Sequence, residues 1–369
     1  MPQQKGIVKL KYENHLLNWK EYQAGKIILN SMPSRAFIEL TQNCNFKCNM
    51  CWRTYLPQFE NYNPEYDMSF DLFKKIADSL FPYLTFIDLR GFGETLILPH
   101  WPRIVRYIQK FPNIQWHLNT NLSLTRKDVW KLMIKNNFMI AFSCDGATKE
   151  TFTFIRRGAD FEQILKNLKN VVEYIQKFKR GAIYFLVTVQ RYNLMELPEI
   201  IEMAKDYQVG SIALRIVRRS WRCSLNQPPE IIGKIMKKTF MLAKRYKINI
   251  NVNDKELVKY IPFPLKSYPN PYWYVKEIFP YEPSKHNFEA VSINKKCYKP
   301  FGYVYIYYDG KVGPCNHLCF PPVALGDLKE NTFKQIWNGE PFQEFRKNLL
   351  NVTPKVRDCR WCFKHRITD

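Results

Sequence analysis

The chain has 369 residues, 46% hydrophobic and 15% aromatic, enough for one large core and a smaller one and too apolar for a disordered chain. Fifty-six Lys and Arg oppose 33 Asp and Glu, a formal net charge of +23, which favours acidic partners and disfavours polycationic substrates. The charge is scattered, as along 234–247, so a solvated basic surface or an anionic small substrate is expected ahead of nucleic acid.

In chain order, residues 1–35 are mixed and basic with no strong period, an extension that precedes or covers the main domain. They open on Met1-Pro-Gln-Gln-Lys-Gly6 with no apolar signal core, and no run reaches the roughly 18 apolar residues of a membrane span. A cytoplasmic protein without membrane contact is expected. Residues 36–41 alternate like a strand, and Cys44, Cys48 and Cys51 follow on the loop leaving it. Such loops hold active sites in parallel α/β sheets and barrels. Three soft ligands at CxxxCxxC spacing can wrap one small metal centre and leave a position open, whereas structural zinc closes with four. A zinc knuckle with a distant fourth ligand, or plain buried thiols, are the competing readings.

Ser69 is placed to cap a helix over 70–81, with Phe70, Phe73, Ile76, Ala77 and Leu80 on one face. A strand over 86–89 ends in Arg90-Gly91-Phe92-Gly93-Glu94-Thr95, where glycines allow close backbone approach. Helix 101–109, strand 115–118 leading to Asn119, helix 127–135 and strand 138–143 leading to Ser143-Cys144-Asp145-Gly146 come next. Helices over 149–156 and 161–178, strand 182–189, helix 197–207 and strand 211–217 complete six strand–helix alternations. That pattern predicts a parallel sheet with right-handed crossovers, too short to close an eight-stranded barrel. A helix from Pro228 to about 246 and an apolar stretch over 248–252 follow. Residues 260–281 then carry Pro262, Pro264, Pro269, Pro271 and Pro280 among Tyr and Trp, an irregular connector expected to pack between domains.

Ten cysteines in tight spacings on a chain this long favour metal ligation over disulfides. The second constellation is Cys297, Cys315, Cys359 and Cys362, with a hairpin signal at Tyr303–Tyr308 followed by Asp309-Gly310. By count, four thiolates suit zinc or a 4Fe-4S cluster equally.

At Cys44, Cys48 and Cys51 the sequence resembles the radical S-adenosylmethionine (SAM) superfamily, and from Cys297 to Cys362 a SPASM/twitch auxiliary domain. The resemblance implies an α/β fold: a partial (β/α)6 barrel over 36–227, a helix and connector over 228–290, and a small β-hairpin/helix auxiliary-cluster domain over 291–369. It implies SAM and two 4Fe-4S clusters, the first held by Cys44, Cys48 and Cys51 with its fourth iron chelating SAM. Reduction by a donor such as flavodoxin or ferredoxin then cleaves SAM to a 5'-deoxyadenosyl radical that abstracts a substrate hydrogen. Gly91, Phe92, Gly93 and Glu94 resemble the GGEP motif that binds the SAM amino group, with Phe92 and Thr95 departing from it. Asn119 adds a polar group at the same end of the sheet. Ser143 and Arg156 lie in a run similar to one that contacts the SAM ribose and carboxylate. Cys297, Cys315, Cys359 and Cys362 would hold one auxiliary cluster, in the shorter twitch-like form because the chain stops at Asp369.

Cys144 and Cys319 are expected to be small buried thiols. Cys223, in the loop 215–227, reads either as an ordinary loop thiol or, by resemblance to family epimerases that use a lone cysteine, as a hydrogen-atom donor to a substrate radical. The expected activity is hydrogen abstraction from a peptide or acidic natural product, ending in oxidation, cross-linking or epimerisation. The rivals are a sugar or aminocyclitol dehydrogenase or epimerase of the same superfamily, and a nucleic-acid-binding iron–sulfur protein without radical chemistry.

Overall fold

Seven strands pair in parallel and in chain order: β1 (Arg35–Ile38), β2 (Phe86–Asp88), β3 (Gln115–Thr120), β4 (Phe138–Ser143), β5 (Ala182–Val189), β6 (Ser211–Ile216) and β7 (Asn249–Val252). They are seen in a computed structural model that describes residues 2–217, 222–252, 254–262, 297–316, 318, 322–350 and 359. Helices connect the strands, as parallel pairing requires, so each strand ends at the face where the loops gather. One side of the sheet buries Ala36, Ile38, Ile87, Leu118, Ile140, Phe142, Val187 and Leu214 in the main core. The alternate residues Phe37, Asp88, His117 and Tyr184 therefore line the opposite, concave side.

The helices form where the apolar spacing placed them. Helix α2 (Phe70–Leu80) is capped by Ser69, whose Oγ accepts from Leu72 N at 3.2 Å, and it buries Phe70, Phe73, Ile76, Ala77 and Leu80. Each such Phe, Ile or Leu contributes about 1.5–3 kcal/mol on burial. The helix Phe161–Phe178 is likewise capped by Asp160, which accepts from Gln163 N at 3.1 Å.

Three features differ from expectation. Residues Pro2–Gln23 form a 22-residue helix, α1, where no period was visible. Its docked stripe is polar: Lys11, Asn14, Asn18 and Glu21 recur at three- and four-residue spacing and are all buried. Asn14 exchanges hydrogen bonds with Met32 N and O at 2.8 and 3.0 Å, and Glu21 accepts from Asn30 N and Ser31 N at 3.0 Å each. A stripe that docks through hydrogen bonds leaves no hydrophobic period to read. The stretch 248–252 also supplies a seventh parallel strand, beyond the six alternations.

The third difference concerns the C-terminal region. Its predicted hairpin exists as β8 (Tyr303–Ile306) and β9 (Lys311–Gly313), turning through Gly310 at φ 94°. However, β8 pairs in parallel with β1, from Arg35↔Tyr303 to Ile38↔Ile306, so the hairpin extends the barrel's own sheet. A short β10 (Gly326–Asp327) ends the ten-stranded order. Two helices, Phe333–Trp337 and Glu340–Leu350, then pack back on the segment after α1. Trp337 Nε1 donates to Ser31 O at 2.9 Å, while Asn338 exchanges hydrogen bonds with Leu29 N and O at 2.9 and 2.7 Å. Most of the proline-rich connector, Cys319 and Cys362 lie outside the described residues.

Candidate active site

The loop after β1 carries Cys44 and Cys51 half-buried and Cys48 buried, none in a disulfide. It is held from two sides. On one, Lys47 N donates to Arg157 O at 2.9 Å, Asn49 N to Ile155 O at 3.0 Å, and Arg157 Nε to Lys47 O at 2.9 Å. These bonds zip the loop to the end of α5, the helix Lys149–Ile155. On the other, Gly93 N donates to Thr41 O at 3.2 Å and Glu94 N to Asn43 O at 2.8 Å. The 90–95 turn thus braces the cysteine loop directly. A Cβ on Gly93 would lie 2.2 Å from Asn43 O, and one on Gly91 2.3 Å from Glu39 Cγ. Glycine is required at 93 by backbone contact with the loop and at 91 by the Glu39 side chain, whatever ligand lies beyond.

Beside that brace two carboxylates, Glu39 and Glu94, are satisfied within the protein. Glu39 Oε1 accepts from Phe92 N at 3.0 Å. The Phe92 ring meets Trp52 edge-on at 5.0 Å, beside Cys51. Glu94 is buried, and its carboxylate accepts from Thr120 Oγ1 at 2.8 Å, Asn121 N at 2.7 Å and Leu96 N at 3.3 Å. Burial pushes its pKa up to about 7 against those donors, and its charge adds to the burial that pushes the Cys44 thiol up to about 12. Cys44 is therefore protonated at neutral pH until a metal claims the thiolate.

Arg156 reaches two ways from the end of α5. Its Nε and Nη2 bind Asp145 Oδ2 at 2.7 and 2.6 Å, and Nη1 lies 3.8 Å from Cys48 Sγ. Asp145 is buried and also accepts from Thr188 N at 2.7 Å. Ser143 is buried at the end of β4, and Asn119 ends the inward row of β3 with Oδ1 buried and unpartnered. Gln190, after β5, is fully buried with neither amide atom hydrogen-bonded. The sequence reading did not single out Gln190; the signal was a polar residue directly after an apolar strand at the loop end of the sheet. Cys223 is buried, with Sγ 3.7 Å from Asn49 Oδ1, so it borders the cysteine loop.

On the concave side, His117 Nε2 and Tyr184 OH are 2.9 Å apart, and His117 Nδ1 lies 3.0 Å from Asp88 Oδ2, poorly aligned for a hydrogen bond. Arg90 Nε pairs with the same Asp88 oxygen at 2.8 Å, and its guanidinium sits 5.1 Å over Phe37. Polar inward positions between apolar outward ones were the available sequence signal. In the C-terminal region Cys297 and Cys359 pack against the small core of Cys315, Leu318, Phe345 and Leu349. These three proposed auxiliary ligands share one small core, but among the described residues no three such side chains stand together closely enough to hold a metal ion, and the fourth, Cys362, lies outside the described residues.

A parallel partial barrel with three thiols on the loop after β1, and further thiols flanking an added hairpin, is the framework of an iron–sulfur enzyme of the radical class. The chain belongs to the radical SAM superfamily, whose sequence model matches residues 38–204; the model of an iron–sulfur cluster-binding domain, SPASM, matches 297–363. It is 24% identical over 353 residues to a tungsten-containing aldehyde ferredoxin oxidoreductase cofactor-modifying protein of Pyrococcus furiosus, covering 88% of this chain and 86% of that one. It is 26% identical over 356 residues to the AdoMet-dependent heme synthase of Methanosarcina barkeri, covering 91% and 93%. The fold is shared with Streptococcus suis SuiB bound to S-adenosylmethionine, at TM-score 0.61, 12% identity and 87% and 69% coverage. It is shared also with anSMEcpe with bound AdoMet, at TM-score 0.59, 18% identity and 90% and 85% coverage.

The cofactors are accordingly SAM and 4Fe-4S clusters. The residues present fit them in donor chemistry, with three free thiols on one braced loop and orphaned buried amide atoms of Asn119 and Gln190 at strand ends where a polar ligand would satisfy them, although among the described residues no three thiols are drawn together as a metal site. Among the described residues no helix is long and apolar enough to cross a membrane.

Proposed function

We propose that this radical SAM enzyme abstracts hydrogen from a peptide or acidic natural-product substrate and that the outcome is oxidation or cross-linking. The observation that carries the reading is the pairing of β8 with β1, which builds the auxiliary hairpin into the strand that precedes the cysteine loop. In this reading the two cluster sites would lie toward opposite ends of adjoining strands of one sheet, the first after β1 and the auxiliary one before β8 and after β9, so that a substrate between them loses a hydrogen to the radical and an electron to the auxiliary cluster. When bound, SAM and the first cluster supply a 5'-deoxyadenosyl radical. Cys44, Cys48 and Cys51 hold that cluster; Cys297, Cys315, Cys359 and Cys362 hold the auxiliary one. The 91–94 turn, Asn119, Ser143 and the Nη1 edge of Arg156 take the SAM polar groups, joined by Gln190. Phe37, Arg90 and Tyr184 offer the substrate aromatic and cationic contacts, in keeping with an acidic substrate.

Relatives support the substrate class. The chain is 29% identical over 181 residues, 47% of its length, to the Bacillus subtilis AlbA protein of subtilosin biosynthesis, and the heme synthase above matches along nearly the whole chain. Epimerisation is the second reading, because Cys223 Sγ lies 3.7 Å from Asn49 Oδ1, next to Cys48. Anaerobic reconstitution, iron counting and incubation with SAM, dithionite and a panel of peptides and haem precursors test both. Two clusters per chain, 5'-deoxyadenosine and a product lighter by two hydrogens support oxidation. Unchanged product mass with one deuterium from solvent, lost in Cys223→Ala, supports epimerisation. Iron for a single cluster sinks the oxidative version.

A further inference from the structure

The end of α5 and the segment after β5, which are tied to the cysteine loop and to Cys223, carry an exposed apolar patch. Phe154 and Met195 are 54% and 60% exposed, and Phe154 meets the exposed ring of Tyr192 edge-on at 4.9 Å. These side chains hold no core position, so their exposure is unfavourable unless something covers them. Arg157 and Arg191 are exposed beside them, with the Arg191 guanidinium 5.1 Å over Tyr192. Lys149 adds a further cation on α5, against the single carboxylate of that helix, Glu150. The nearby Glu196 is occupied, accepting from Ala147 N, Thr148 and Thr151.

The patch is also wired to the loop. Phe154 precedes Ile155, whose carbonyl accepts from Asn49 N at 3.0 Å, and Asn49 follows Cys48 directly. One peptide unit, one hydrogen bond and one further peptide unit therefore join the exposed ring's backbone to a cluster cysteine. From the far side, Arg191 N donates to Cys223 O at 3.3 Å, and Cys223 Sγ reaches the Asn49 side chain. The segments that bear the patch thus converge on Asn49.

We propose that this patch, with Phe154, Tyr192 and Met195 at its centre and Arg157 and Arg191 at its rim, docks an acidic one-electron carrier protein that reduces the cluster held by Cys44, Cys48 and Cys51. An apolar centre with a single-sign charged rim suits a transient electron-transfer encounter, which buries little area and is steered by charge. The net charge of +23 supplies the long-range attraction. This rests on the radical reading above, since reductive cleavage of SAM needs one electron delivered from outside.

The test uses reconstituted holoenzyme and flavodoxin hydroquinone as the carrier, with dithionite as a small reductant that needs no docking. Cluster bleaching is followed by stopped flow at low and high salt. In Phe154→Ser/Arg191→Glu, reduction by flavodoxin is expected to slow at least tenfold at low salt, with the wild-type rate falling as salt rises and the dithionite rate unchanged. Met195→Ser, a change confined to an exposed side chain, is expected to slow flavodoxin in the same direction. Equal flavodoxin rates in wild type and variants, or a wild type reduced by dithionite and never by flavodoxin, overturn the proposal. A cluster that dithionite fails to reduce overturns the radical reading and this surface with it.

Discussion

Arg156 gives two nitrogens to one oxygen of Asp145 and turns its third to within 3.8 Å of Cys48 Sγ. Burial and Thr188 N fix Asp145, so the guanidinium has little freedom to leave the cysteine loop. A positive donor beside a cluster thiolate stabilises the more negative, reduced state.

Arg156→Gln is therefore expected to lower the reduction potential of the first cluster by on the order of 60 mV, about a tenfold change for one electron. An anaerobic redox titration followed by electron paramagnetic resonance reads it. A potential that stays the same or rises contradicts the role.

Gly93→Ala places a Cβ 2.2 Å from Asn43 O, and backbone cannot move as a side-chain tip would. Overpacking of this kind costs about 1–3 kcal/mol and here falls on the brace of the cysteine loop. Iron content after reconstitution is expected to drop by more than half while the far-ultraviolet circular dichroism stays native. Full iron loading would falsify the brace.

Lys11 is buried with Nζ 2.9 and 3.3 Å from the carbonyls of Pro112 and Asn113, and burial lowers its pKa from 10.5 to about 7. Between those values the unfolded chain holds a proton that the folded chain has released. Stability then rises with pH from about 7 towards 10.5, by at most about 1.4 kcal/mol per unit. Urea unfolding of the metal-free protein is expected to show a gain of on the order of 2 kcal/mol from pH 7 to 9. Lys11→Met should abolish that gain; an equal gain in the variant assigns it elsewhere.

Asn338 is the clasp between the C-terminal helices and the segment after α1, through its two bonds to Leu29. Asn338→Ala leaves that backbone pair unpartnered and is expected to cost about 2–3 kcal/mol. Thermal unfolding reads the loss, and an unchanged midpoint would show that water replaces the clasp.

Tyr184→Phe removes the hydroxyl from His117 without altering the ring contact between them. If the concave row positions substrate, 5'-deoxyadenosine formed without substrate should be unchanged. The ratio of 5'-deoxyadenosine to product should rise at least tenfold. A wild-type ratio assigns the row to folding alone.

Much of the site was legible because its signals are local. Cysteine spacing, the strand before it and the Gly-rich turn each sit within a dozen residues, and the capped amphipathic helix 70–80 carries its own period. What could not be read depended on distant partners. Asp145, eleven residues earlier, holds Arg156 by two of its nitrogens and leaves its Nη1 edge toward the cysteine loop. Nor could the sequence show that the Glu94 carboxylate is held in place by Thr120 and Asn121. The polar stripe of α1 was invisible because its partners lie at Met32, Ser31 and Pro112.

The donor set was therefore determined by the sequence itself, since three thiols within eight residues stay near one another wherever the chain goes, whereas the shape of their loop depends on the brace from the 91–94 turn. Tertiary structure alone decided where the second thiol group stands. A hairpin built from Tyr303–Ile306 could satisfy its edge in many ways, and only the register with Arg35–Ile38 places it beside the strand that feeds Cys44. Backbone hydrogen bonds of a strand are indifferent to sequence, so the choice of neighbour is made by the packing of both faces at once.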